Sequence, residues 1–179
     1  MKKLIAVALF LGSLAVFVGN VRAAPTADLT ITVTPNGTKS VSLSAATLNL
    51  GTLNVASVNN ISSSITVTND GNVPEAFGLR IKTADATWSS GSAAAANVYN
   101  LRALFNSAAP IAGDFLANDD VVTQGSPVVA TGVGAVYSGN QDASVVNAAA
   151  TRGLWFKLDM PTTTTVVTQR SFVVEVSAN

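Results

Sequence analysis

The chain contains no histidine and no cysteine. Without them it can form no Ser-His-Asp or Cys-His triad, no thiol redox centre and few kinds of zinc site. A disulfide framework is excluded as well, so a domain of this size must stabilise itself by burial even in an oxidising compartment. A cysteine that would carry a lipid anchor is also missing. Charge is scarce: ten basic and ten acidic residues are 11% of the 179. They form no basic stripe of the kind that binds nucleic acid or anionic lipid. The serine signatures Gly-x-Ser-x-Gly and Ser-x-x-Lys do not occur, and no Gly-rich phosphate loop precedes a helix. Carboxylates alone remain for catalysis, and a glycosidase needs two of them facing each other across a cleft. Asp70 and Glu75 instead flank a turn and the strand after it, where turn-forming and solvated roles are expected. The chain is expected not to be an enzyme.

The first 23 residues are expected to be a cleaved secretory signal of bacterial type. Lys2 and Lys3 give a positive start, Leu4 to Gly19 an apolar run, and Val21-Arg22-Ala23 a cleavage site. The run is shorter than the ~20 residues of a membrane span. Cleavage after Ala23 leaves Ala24 to Asn179 (179 less 23, or 156 residues), expected to be one domain with seven basic and ten acidic side chains. No second apolar span follows. The expected product is secreted or held at the cell surface by contacts rather than lipid.

What fills the remainder is a two-residue rhythm. Leu29, Ile31 and Val33 alternate with Thr30, Thr32 and Thr34, and Pro35-Asn36-Gly37 is expected to turn the chain. Further runs fall at Val41 and Leu43, Leu48 and Leu50, Ile65 and Val67, Phe77 to Lys82, Leu154 to Asp159, and Phe172 to Ser177. β-branched residues dominate them, as half-buried pleated surfaces favour. No stretch carries a helical stripe, and Ala93 to Ala96 reads as a loop excursion. The expectation is an all-β antiparallel sandwich, immunoglobulin-like or jelly-roll-like. Its Ala-, Gly- and Asn-rich middle, Asn106 to Ala150, is expected to hold short strands joined by long loops. Ile31 to Gly37 and Ile65 to Gly71 share the pattern Ile-Thr-Val-Thr-x-x-Gly at a spacing of 34, which predicts two hairpin ends built by the same chemistry.

Three sets of residues are candidates for a site. Asp114, Asp119 and Asp120 with Asn118 form the densest oxygen cluster, a calcium candidate whose spacing matches no EF-hand. Otherwise no cofactor is expected. Trp88 and Trp155 are candidates for stacking on a sugar, although aromatic rings in a sandwich are commonly core, as expected for Tyr99; Trp88 is expected to be half-buried. The third set is Leu29, Ile31 and Val33, whose strand follows the cleavage site closely enough to reach a neighbour and add to its sheet. Pairing within its own domain is the alternative.

The segment Ser64 to Ile81, SITVTNDGNVPEAFGLRI, with Leu48-Asn-Leu-Gly-Thr-Leu53 upstream, resembles the immunoglobulin-like sandwich modules of bacterial surface and secreted proteins. Leu154 to Pro161 followed by Gln169 to Ser177 is similar to the final strand pair of such modules. The resemblance implies a scaffold or adhesive role in the cell envelope and brings no catalytic residues. The expected function is a self-associating subunit of a filament, pilus-like fibre, matrix or surface layer. Its expected partners are copies of itself, with other surface proteins or glycans as further candidates. The alternative is a carbohydrate- or ligand-binding module.

Overall fold

The computed structural model describes Thr26 and residues 28–179, so the leader expected at 1–23 lies outside the described residues. Two units are distinguished, Met1–Pro35 and Asn36–Asn179. In the first, Asp28 to Pro35 lie in no strand, and Leu29, Ile31 and Val33 are 84, 82 and 80% exposed. The strand expected there is therefore not formed within this chain. Alternation supplies a face to bury, but a strand also needs a ladder partner for its amides and carbonyls.

The second unit is all-β. Its strands among the described residues are β1 (Val41–Leu43), β2 (Asn60–Ile61), β3 (Ile65–Asn69), β4 (Phe77–Thr83), β5 (Ser89–Ser90), β6 (Val98–Phe105), β7 (Val128–Val129), β8 (Thr151–Asp159) and β9 (Val173–Ala178). One sheet runs β1-β3-β8-β6-β5, with β2 paired to β8 beyond the end of β3; the other runs β7-β4-β9. Ladders are antiparallel except β5 with β6. That exception arises where residues 91–97 fold back, with Asn97 at φ 57°, and set Ser89 beside Val98.

The alternating side chains of both sheets meet in one core. Val67, Leu154, Tyr99 and Phe105 from the first sheet pack with Phe77, Leu79 and Ile81 from the second. Phe77 and Phe105 bring their ring centroids to 5.7 Å across the gap, and this face-to-face packing makes the sandwich. Residues 106–150 behave as their composition suggests: one short strand, one 3-10 turn at Ala112–Asp114, and isolated bridges at Val121, Gln124, Ser138 and Val146.

Three local readings change. Leu48 and Leu50 lie in no strand and are partly buried against the core. Strand β6, Val98–Phe105, was not expected, because both of its faces are covered. Tyr99, Leu101, Ala103 and Phe105 face the core, while Asn100 and Leu104 on the opposite face are also buried, so no solvated face gives the period away. Finally, neither Asn36 nor Gly37 has positive φ, so no tight turn forms there. Residues 36–40 instead run antiparallel beside residues 69–72. The Asn72 amide N–H donates to the Thr38 carbonyl at 3.0 Å, and the Asp70 N–H to the Ser40 carbonyl at 3.0 Å.

Candidate functional site

The acidic candidates do not converge. Asp120 is buried, and its two carboxylate oxygens accept from the Leu116 amide at 2.6 Å and the Tyr137 amide at 3.1 Å. Burial pushes its pKa up to about 6, against those two hydrogen bonds and the nearby Arg102. Asp114 accepts from the Ile111 amide at 2.9 Å and closes its own 3-10 turn. Among the described residues no group of three or more acidic side chains is placed to hold a metal ion. The chemistry of this cluster is loop closure: Asp120 ties residues 116 and 137 to one point.

That loop covers the outer face of β6 and β8, where Arg102 and Lys157 stand opposite each other in the ladder. Arg102 Nη1 donates to the Phe115 carbonyl at 3.1 Å. Lys157, only 4% exposed, reaches Asn59 Oδ1 at 3.3 Å and the Ala112 carbonyl at 3.5 Å, with Nζ 5.9 Å from the Phe115 ring centroid. Desolvation, then the neighbouring Arg102, lowers the Lys157 pKa, opposed by Asp159 and Asp120. These two cations were not singled out in the sequence. The signal was faint: each is a charged residue inside an apolar strand run.

The aromatic candidates are mostly committed. Trp88 is 7% exposed, more buried than expected, and its Nε1 donates to Thr164 Oγ1 at 3.1 Å. Tyr99 is fully buried and stacks on Phe172 with centroids 4.7 Å apart. Trp155 is half-buried, and its Nε1 donates to the Asn106 carbonyl at 3.0 Å. Beside Trp88 lies an open cleft of about 290 Å³, lined by Asp85, Thr87, Ser89, Asn97 and Gln124 among others. Burial would raise the Asp85 pKa, but hydrogen bonds from Thr87 and Trp88, with Arg170 nearby, hold it down at about 2. Asp85 is thus already occupied as an acceptor.

The remaining feature is a sheet edge. Among the described residues, strand β9 pairs with β4 on one side only. Asn179 and Ala76 exchange both backbone hydrogen bonds. By the alternation of an antiparallel ladder, Ser177 and Glu175 also face β4, leaving the N–H and C=O of Val174 and Val176 toward the open side. The side chains of Phe172, Val174 and Val176 are partly buried against the core, as is Val41 of β1, which lies alongside β9. On the outer face Glu175 bridges Arg80 at 2.7 Å and Lys82 at 2.8 Å. Hydrogen bonds from these two cations hold its pKa at about 2. The strand carries no lysine, no proline and one neutralised carboxylate. It lacks the usual devices that protect an exposed edge. This edge was not legible in the sequence, since strand order decides which strand lies outermost.

The chain matches no family model, no curated protein and no solved structure.

Proposed function

We propose that this protein is a non-enzymatic structural subunit of the cell surface, exported by its N-terminal leader, which assembles with copies of itself into a filament, fibre, matrix or layer. The segment Asp28 to Thr34 is the joining element, added as a strand to a neighbouring subunit. One observation carries this reading: three large aliphatic side chains at alternate positions, each at least 80% exposed, in a segment that belongs to no sheet. Burying each would contribute about 1.5–3 kcal/mol, and the backbone hydrogen bonds of an added strand would supply directionality. Its pattern Ile31-Thr-Val33 repeats Ile65-Thr-Val67 of β3, where both aliphatic residues are buried. The same side chains therefore suit a core-facing strand.

Negative-stain microscopy of the processed protein, with and without Ala24 to Thr34, tests the reading. Polymers are expected from the longer protein only. Polymers of unchanged form from the truncated one, with its β-sheet circular dichroism intact, would reject the segment as the joining element.

A second reading, binding of a surface glycan, rests on the half-buried Trp155 ring. Binding on a glycan array that disappears with Trp155→Ala would favour it. A uniformly blank array would remove it.

A further inference from the structure

We infer that the acceptor for the N-terminal segment is the open edge of β9 in a second copy of this chain. The inference rests on the self-association reading and specifies its other half. Strand addition needs an edge whose amides and carbonyls are free, long enough for the incoming strand, and bordered by apolar side chains that the newcomer can cover. The edge strands differ first in length. Strands β5 and β7 have two residues each and β1 has three, whereas β9 has six. On β9 the backbone groups of Val174 and Val176 point to the open side, and their side chains lie partly buried on the core. The core is thus incompletely covered along one line, and residues 28–34 match that line in length and pattern. With Leu29, Ile31 and Val33 turned inward they cover Phe172, Val174 and Val176. Thr30, Thr32 and Thr34 then face outward beside Glu175 and Ser177.

The occupant is taken from another copy because residues 28–34 lie in no strand of their own chain and the self-association reading supplies a neighbour. Residues 36–40 are held beside residues 69–72 with no reversal at Asn36-Gly37. The chain is therefore extended where it joins β1.

The chain has no cysteine of its own, so engineered pairs report contacts cleanly. Three double variants suffice: Thr32→Cys with Val173→Cys, Thr32→Cys with Ser177→Cys, and Thr32→Cys with Ser42→Cys on β1. After mild oxidation of assembled protein, a ladder of disulfide-linked oligomers is expected from at least one β9 pair and not from the β1 pair. Polymers that give a ladder only through Ser42→Cys, or none at all, overturn β9 as the acceptor and leave self-association standing. A disulfide confined to monomers overturns exchange between copies. Absence of polymers from the cysteine-free parent overturns the self-association reading itself, and the acceptor assignment with it.

Discussion

The side chain of Asn72 grips the backbone at Asn36 and Thr38 from both ends of its amide: Nδ2 donates to the Asn36 carbonyl at 3.0 Å, and Oδ1 accepts from the Thr38 N–H at 2.6 Å. The contact spans 36 residues and fixes where the compact unit begins. It also sets the direction in which the chain enters β1.

Removing that grip leaves the core untouched and loosens the entry. Asn72→Ala deletes two exposed hydrogen bonds, each worth about 0.5–1.5 kcal/mol. A stability loss of about 1–2 kcal/mol in urea is expected, with faster proteolysis near Asn36. Limited digestion followed by mass spectrometry reads the cut site. Unaltered proteolysis would show that the grip does not hold the entry.

Gly153 has a different duty. It sits in β8, where an added Cβ would come within 2.6 Å of the Asn106 carbonyl oxygen. The same backbone is already engaged, since the Asn106 N–H donates to the Gly153 carbonyl at 2.8 Å. Alanine there must push one backbone off the other. Gly153→Ala is expected to cost about 1–3 kcal/mol, as overpacking does. Thermal denaturation checks it, with Gly132→Ala, which has open space around it, as the comparison.

The sequence made the sandwich legible wherever a strand alternates apolar with polar residues. β3, β4, β8 and β9 alternate, and each lies within a residue or a few of where its periodicity places it. The two-sided strand β6 stayed hidden because its outer face is roofed by residues more than ten positions downstream, such as Phe115. The acidic cluster misled for a related reason. Oxygen-rich spacing is the same whether the carboxylates face solvent or, like Asp120, turn inward to backbone amides. For the N-terminal segment the alternation predicted a strand, but residues 28–35 lie in none, because periodicity supplies a face and not a ladder partner.

Lys157 offers a test of what a buried cation contributes. Its two hydrogen bonds are long, 3.3 and 3.5 Å, and its Nζ stands 5.9 Å from the Phe115 ring centroid. Burying an ammonium group on such terms costs nearly as much as its partners return. Lys157→Met keeps the stem and removes the charge, so it is expected to hold stability within about 1 kcal/mol or raise it. Lys157→Ala leaves a void and is expected to lose about 2 kcal/mol or more. Equal losses for the two variants would show that the charge, not the packing, stabilises the loop.

Stability should also bend with pH in two opposite limbs. Asp85 and Glu175 are held at about 2, below ordinary values of 3.8 and 4.5. The folded state therefore releases their protons more readily than the unfolded chain does. Their contribution is complete above about pH 4.5 and disappears as pH falls toward 2. Asp120 behaves oppositely: burial raises it from 3.8 to about 6, so the folded state retains a proton that the unfolded chain has lost. Its effect is a stability that declines as pH climbs from about 4 to 6, then levels. Glu75, raised chiefly by burial, adds to the same decline. Urea midpoints measured from pH 2 to 8 are thus expected to peak near pH 4 to 5. In Asp120→Asn the fall between 4 and 6 should shrink without vanishing, because Glu75 remains. The variant also loses one acceptor for the Leu116 or Tyr137 amide, which lowers its whole curve by about 1–3 kcal/mol. A variant whose curve is merely displaced downward, with the slope between pH 4 and 6 intact, would show that Asp120 does not titrate in that window.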